Sequence, residues 1–374
     1  EGPIREAMRE VRKEDIHDLV RRSTEVRELI QRAPLPPLVV AELDASYRLM
    51  SEEYGEPATD VAVRSSATAE DLPTASFAGQ LESFLNIRGF AALEESVRRA
   101  FGSAFTPRAI SYRLDMGFDH MKVAVSVGIQ KMVRSDRASA GVIFTLDPDS
   151  GHRGVVLITS SWGLGESVVQ GRVVPDQILV HKSTLEGGFR PLVWKKVGSK
   201  ETMLVYDDVV PDLIESAPVA PADRDRLSLS DDDALELAHW ALRIERHYSE
   251  LRGQPTPMDI EWAKDGLTGA LYVVQARPET VHGQRVTPRV RLYEIHGGAR
   301  VLVKGLAIGN AIATGRANHI RGPAELDRFR PGEVLVTETT DPDWEPVMKA
   351  AAAVVTERGG RTSHAAIVAR ELGL

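Results

Sequence analysis

Apolar positions along the chain follow two spacings, and the switches between them outline its elements. Residues 4–32 are charged throughout, yet Leu19, Val20, Val26, Leu29 and Ile30 form a rough stripe at helical spacing. Pro34, Pro36 and Pro37 break it, and a second helical stretch runs from about Val39 to Tyr54. A short strand over Asp60 to Arg64 leads into a small polar segment, Ser65 to Thr74. Leu93, Val97 and Phe101 mark a helix over 91–104, whereas Val123, Val125, Val127 and Ile129 alternate as a strand does. Further strands are predicted at 141–145 and 155–160. Residues 217–233 read as a surface loop, and Asp231 as the cap of a helix over about 233–248. Asp259 to Ala263 and Leu271 to Ala276 flank the turn Lys264 to Gly269, a hairpin pattern. The polar stretch Arg277 to Arg289, with Pro278 and Pro288, reads as a linker; beyond it come small strands, glycine turns and alanine-rich segments. The predicted division is a domain over 1–280, a linker over 281–290 and a second domain over 291–374.

Composition narrows the classes. The 374 residues are 43% hydrophobic and 27% charged, the balance of a globular multidomain chain. A net charge of −8 argues against nucleic acid as the main partner. There is no cysteine, which excludes disulfides, thiolate metal sites and cysteine nucleophiles. No apolar run approaches the length of a membrane helix. The chain starts without methionine and its last helical pattern stops at Leu374, so it reads as an internal piece of a longer protein.

Four segments carry candidate chemistry. In the first, a strand ends in Gly359 and Gly360, Arg361 and Thr362 follow, and a helix begins with His364 in its first turn. Free N–H groups and the helix dipole make that place an anion site and disfavour imidazolium, leaving a neutral, nucleophilic ring. A lone histidine there would more simply be structural; the Gly-Gly-Arg-Thr-Ser context favours a covalent carrier, with Arg358 and Arg361 available to a phosphoryl group. In the second, Arg64 leaves a strand and enters small hydroxyl residues. It is equally a fixed charge under a phosphate loop or a solvated arginine of a surface turn. In the third, Asp259 and Glu261 share one strand face and Gln275 and Arg277 another. In the right register two acids would oppose an amide and a guanidinium, oxygen donors of the sort that hold Mg²⁺ beside substrate phosphates. Taken alone, a cross-strand salt bridge is the simpler reading. The fourth, Trp162-Gly163-Leu164-Gly165-Glu166, has neither Walker nor dinucleotide spacing and reads as a strand-to-helix turn.

Together these segments resemble the phosphoenolpyruvate synthase (pyruvate, water dikinase) family of PEP-utilising enzymes over nearly the whole chain. The carrying motifs are Val-Arg-Ser-Ser-Ala-Thr-Ala-Glu-Asp-Leu-Pro at 63–73, Ser-Phe-Ala-Gly-Gln at 76–80 and Arg-Ala-Ile-Ser-Tyr-Arg at 108–113. Trp-Gly-Leu-Gly-Glu at 162–166, Pro-Met-Asp-Ile-Glu-Trp-Ala-Lys-Asp-Gly at 257–266 and Val-Gln-Ala-Arg-Pro-Glu-Thr-Val at 274–281 continue the series. Asp-Pro-Asp-Trp-Glu-Pro at 341–346 and Gly-Gly-Arg-Thr-Ser-His-Ala-Ala at 359–366 complete it. Position 363 is Ser where many synthases carry Cys.

The resemblance implies an α+β or α/β multidomain architecture, an ATP-grasp nucleotide-binding domain followed by a swivelling β/α phosphohistidine domain that is incomplete here. It implies gluconeogenic synthesis of phosphoenolpyruvate from pyruvate, ATP and water, with AMP and phosphate released, in the cytoplasm. His364 would carry the phosphoryl group. Arg64, Gly141, Thr145, Asp259, Glu261, Gln275 and Arg277 would line the ATP site, Glu261 and Gln275 would meet Mg²⁺, and Gly359, Gly360, Arg361 and Thr362 would form the phosphate loop near the carrier. The family's first ATP-site segment, about 60 residues by the scale of domain sizes, has no counterpart here, and nor does its C-terminal (β/α)₈ barrel. That barrel would bind pyruvate or phosphoenolpyruvate and form any homodimer, so the fragment alone is not expected to complete the reaction. The rivals are a rifampin-type antibiotic phosphotransferase, a pyruvate, phosphate dikinase, against which Ala-Thr-Ala-Glu-Asp-Leu-Pro at 67–73 argues, and an inactive nucleotide-binding or phosphocarrier fragment.

Overall fold

The computed structural model describes residues 2–11, 16–68, 82–207, 210, 213–279, 300–308, 312–341, 344–360, 363–372 and 374. They fall into two units, residues 1–132 with 206–215, and residues 133–205 with 216–374. The expected linker at 281–290 lies outside the described residues. The class is mixed α/β with several separate sheets. No helix among the described residues is long and apolar enough to cross a membrane.

The first unit begins with α1 (Gly2–Ala7), α2 (Ile16–Arg32) and α3 (Pro37–Glu53). Pro37 opens α3, where a missing N–H costs nothing, so the proline cluster both ends one helix and starts the next. Strands β1 (Val61–Ala67), β2 (Ser83–Ile87) and β3 (Val125–Lys131) form an antiparallel sheet in the order β2-β1-β3. Helix α4 (Phe90–Gly102) sets Leu93, Val97 and Ala100 against Val61 and Val63, and α5 (Pro107–Met116) is capped by the Thr106 hydroxyl. Asp60, buried just before β1, accepts from Lys131 and from the Tyr206 hydroxyl at 2.9 Å, with Arg88 3.6 Å away. A buried carboxylate needs such partners, and these tie β1, β3 and the 206–215 segment into one body.

The second unit is built on an antiparallel sheet of six strands in the order β11-β10-β4-β5-β6-β7. These are β4 (Ser139–Phe144), β5 (Val155–Trp162), β6 (Asp176–His181), β7 (Leu192–Lys196), β10 (Met258–Lys264) and β11 (Leu271–Pro278). Short helices α6 (Glu166–Val169) and α7 (Lys182–Glu186) lie between strands, and β8 (Thr202–Tyr206) and β9 (Ile214–Pro218) pair with each other. The expected loop over 217–233 therefore contains the end of β9, the single turn α8 (Pro221–Arg224) and the start of α9 (Asp231–Arg252). Ser230, not Asp231, caps α9: its hydroxyl accepts from the Asp233 N–H at 3.1 Å, and the three aspartates that follow complement the helix dipole.

Alternation along the strands gives this sheet two different faces. Ile143, Ile158, Ile178, Ile260 and Trp262 pack against α9 through Leu237, Ala238 and Ala241. Val142, Phe144 and Leu157 point the other way and meet Val168 of α6 and Val173. Fully burying each such side chain is worth about 1.5–3 kcal/mol, so the faces hold the strand positions firmly. Following the sheet, β12 (Ala317–His319), β13 (Val334–Thr337) and β14 (Ala353–Thr356) make a small parallel sheet. Helices α10 (Glu345–Ala350) and α11 (His364–Leu372) cover it around Leu335, Trp344, Met348 and Val368. Trp344, the aromatic of the 341–346 motif, is thus a core residue of this layer.

Candidate active site

The hairpin pairs in the register that brings the chosen residues together. Asp259 faces Arg277 and Glu261 faces Gln275 across β10 and β11. Because Asp259 also pairs with Phe144 and Glu261 with Val142, all four polar residues stand on the sheet face opposite α9. Arg277 clasps Asp259 through Nε at 2.9 Å and a terminal nitrogen at 2.7 Å. Burial pushes the Asp259 carboxyl above its ordinary value; the guanidinium opposes that shift, and Glu261 and Glu279 add to it. Asp259 is therefore paired with Arg277, while Glu261 and Gln275, half-buried, face each other one pair along.

Two further expected ATP-site residues have steric or bonding duties at this hairpin. Thr145 is fully buried; its hydroxyl accepts from the Met258 N–H at 2.7 Å while its own N–H donates to the Met258 carbonyl at 2.9 Å. It fastens the end of β4 to the start of β10 and so sets where Asp259 stands. Gly141 sits where a Cβ would lie 1.9 Å from the Thr159 carbonyl oxygen, so only glycine lets β4 approach β5 there. The Trp162–Glu166 segment is the turn from β5 into α6. Glu166 accepts from Gln170 at 2.6 Å, and burial raises its carboxyl against the pull of Arg172.

Arg64 differs from expectation. The strand does not end there: β1 continues through Ser65, Ser66 and Ala67, which pair with Val127, Ser126 and Val125. The small hydroxyl residues satisfy a sheet ladder, and Ser65 also donates to the Glu82 carbonyl at 3.0 Å. Arg64 is half-buried in mid-strand between Ser83 and Gly128, within the first unit, whereas the hairpin belongs to the second. Residues 69–81, including the Ser-Phe-Ala-Gly-Gln motif, lie outside the described residues.

At the carrier segment, β14 runs into Gly359 and Gly360 and α11 opens at His364, the strand-loop-helix arrangement expected. Arg361, Thr362 and the His364 side chain lie outside what the structure describes. Ser363 is buried, and its hydroxyl accepts from the Ala366 N–H at 3.4 Å, capping the helix. The loop is seated on residues 171–175, just after α6. Gly171 has φ +70°, and a Cβ on it would lie 2.4 Å from that of Ser363. A Cβ on Gly360 would meet Pro175 at 3.1 Å. Since α6 and Val173 pack on the sheet face that displays Asp259 and Glu261, Gly360, Ser363 and the acidic hairpin share one side of the sheet.

One further contact escapes sequence reasoning. Arg370, in the last turn of α11, is paired with Asp149 on the loop after β4, and both side chains are largely buried. The partners are separated by 221 positions, and neither stands in a segment whose pattern points to the other.

A polar hairpin and a glycine loop that opens into α11 thus lie on one side of a single sheet. Residues 1–293 match the pyruvate phosphate dikinase, AMP/ATP-binding domain family, and residues 329–374 match the PEP-utilising enzyme, mobile domain family. The chain belongs to the pyruvate phosphate dikinase and PEP-utilising family. Among its relatives are proteins named phosphoenolpyruvate synthase. That of a Synechocystis strain is 49% identical over 100% of this chain and 46% of its own length. That of Aquifex aeolicus is 50% identical over 99% of this chain and 44% of its own, and that of Escherichia coli 47% identical over 96% and 45%. The chain thus spans somewhat under half the length of these relatives.

Proposed function

We propose that this chain carries out the ATP-using half of phosphoenolpyruvate synthesis, with His364 as the phosphoryl carrier. Residues 1–280 act as an ATP-grasp nucleotide-binding part and 291–374 as a swivelling phosphohistidine part. A ring nitrogen of His364 attacks the β-phosphorus of ATP, the α–β bridge bond breaks and AMP leaves. Water then removes the γ-phosphoryl as phosphate, and the phosphoryl left on histidine passes to the enolate oxygen of pyruvate. The observation that carries this reading is the seating of the 359–363 loop on the sheet side that bears Asp259, Glu261, Gln275 and Arg277.

Each residue then has a defined task. Arg64 contributes a fixed positive charge to the triphosphate. Arg277 orients and compensates Asp259, which keeps the hairpin rigid and leaves Glu261 and Gln275 as paired oxygen donors. Gly141 and Thr145 hold β4 close to its neighbours beneath the nucleotide, and Gly359, Gly360, Arg361 and Thr362 line the phosphate path to His364. The donor set fits Mg²⁺, which takes one or two protein oxygens together with substrate phosphates. Among the described residues no cluster of three or more His, Cys, Asp or Glu is arranged to hold a metal alone, so Glu261 and Gln275 would share it with ATP. Such an ion neutralises phosphate charge and aligns the β-phosphorus. Pyruvate is favoured as acceptor over a drug because the relatives are named phosphoenolpyruvate synthase. The reaction is placed in the cytoplasm, its acceptor site and any homodimer contact in a barrel beyond these residues.

The test is product identity. In a single turnover of the chain with ATP and Mg²⁺, the account expects AMP and phosphate in equal amounts, at most one of each per chain. ADP as the nucleotide product would refute attack at the β-phosphorus.

A further inference from the structure

We propose that the Arg370–Asp149 ion pair is a positioning contact: it holds α11 and the carrier loop on the nucleotide-binding sheet in the arrangement that receives phosphate from ATP. The proposal rests on the function proposed above and adds the residues that determine when the carrier is seated.

Three observations carry it. The pair joins two parts of the second unit that are far apart in sequence, the loop after β4 and the last turn of α11. Its side chains are only 7% and 15% exposed, so it is shielded from water and salt, unlike the surface pairs of the chain. Asp149 also stands on a self-braced turn. Asp147 donates its N–H to the His152 carbonyl at 2.9 Å and accepts from the Ser150 hydroxyl at 2.6 Å and from the Asp149 N–H at 3.3 Å. A charge on a rigid turn selects one position of its partner and is a poor general surface feature.

The second contact of the same seat is made of small residues. Gly171 lies against Ser363 and Gly360 against Pro175, with no room for an added Cβ at the first. Contacts between such small side chains suit a surface that must form and part, because each exposes little hydrophobic area on separation. In such a seat an ion pair supplies orientation as well as attraction. It contributes only while α11 is seated, since Asp149 stays with the sheet and Arg370 travels with the helix. The pair therefore acts on the step between ATP and His364 and has no part in binding ATP itself.

The experiment uses the absence of cysteine from the chain. Ser363→Cys places a single thiol in the buried seat, conservatively in size, and its alkylation rate reports how often the loop leaves the sheet. In that background Asp149→Asn and Arg370→Gln should each raise the alkylation rate at least about tenfold. The charge-swapped double variant, Asp149→Arg with Arg370→Asp, should recover much of the protection, which misfolded singles would not allow. With serine restored at 363, the same single variants should slow transfer of label from ATP to the protein by a similar factor while nucleotide affinity stays unchanged. Alkylation in both singles at the parent rate would overturn the contact. Exposure without slower labelling would overturn its positioning role, and so would a swap no better protected than the singles. If the unsubstituted chain took no label at all, the proposal that this chain carries out the ATP-using half would fail, while the alkylation series would still decide whether this pair holds the seat.

Discussion

Arg277→Met should destabilise the second unit in a way that depends on pH. The guanidinium makes two hydrogen bonds to one oxygen of Asp259, and the side chains are 23% and 11% exposed. Removing one member of a buried pair strands the other, which typically costs 3–5 kcal/mol. The residual exposure of this pair reduces that to about 2–4 kcal/mol. The sign follows from Asp259. Burial already holds its folded-state carboxyl above the ordinary value, and the guanidinium is what opposes that shift. Without it the shift grows. Over the window between the unfolded value, near 3.8, and the raised folded value, the unfolded state releases its proton first. The variant therefore loses stability as pH rises through that window and regains it on acidification, when Asp259 folds as the neutral acid. Urea unfolding at pH 7.5 and at pH 4.0, near the foot of that window, measures this directly. The deficit relative to the parent should be smaller at the lower pH, and Asp259→Asn added to Arg277→Met should abolish the pH dependence. A deficit equal at both values, or one below about 1 kcal/mol at pH 7.5, would refute the view that a buried, charge-compensated aspartate underpins this hairpin.

Other outcomes follow from the same geometry. Thr145→Val keeps shape but removes the hydroxyl that accepts from Met258, leaving a buried N–H short of a partner, and should cost about 1–3 kcal/mol in thermal or urea unfolding. Gly171→Ala should weaken the seat of the carrier loop. Its φ of +70° costs a Cβ-bearing residue about 1–2 kcal/mol and the new methyl would strike Ser363, so alkylation of Cys introduced at 363 should rise even with the ion pair intact. Glu261→Gln replaces the carboxylate that faces Gln275 across the hairpin. Nucleotide binding measured by calorimetry should lose most of its Mg²⁺ dependence while unfolding free energy changes by less than about 1 kcal/mol.

Much of the candidate site's arrangement was legible because its logic is local. The alternation of Asp259 with Glu261, and of Gln275 with Arg277, around a short turn fixes which residues can face one another, and β10 and β11 pair in that register. The 359–364 stretch likewise announces strand, glycine loop and helix start. Where local cues compete, the reading goes astray. A run of serine and alanine after Arg64 looks like a loop, yet a partner strand rich in Val and Ser accepts it as the continuation of β1. Ser230 and Asp231 are both good caps, and only the backbone geometry decides that serine takes the role. Strands β6 to β8 carry too little periodicity to stand out alone; pairing of β6 with β5, of β7 with β6 and of β8 with β9 makes them strands. What depends on distant partners was not legible at all. Thr145 meets Met258 across 113 positions, and Arg370 meets Asp149 across 221. Nothing in either neighbourhood encodes such a match, which only the tertiary packing supplies.

The central claim is that His364 receives the β-phosphoryl of ATP. Incubation with ATP labelled at either the β- or the γ-phosphorus, followed by acid and alkali treatment of the protein, tests it most directly. After hydrolysis of the γ-phosphoryl, the account predicts β-label retained on the chain as an acid-labile, alkali-stable bond, γ-label recovered as free phosphate, and no label of either kind on His364→Asn. Protein-bound β-label that persists in His364→Asn, or stable γ-label on the parent in place of β-label, would contradict it.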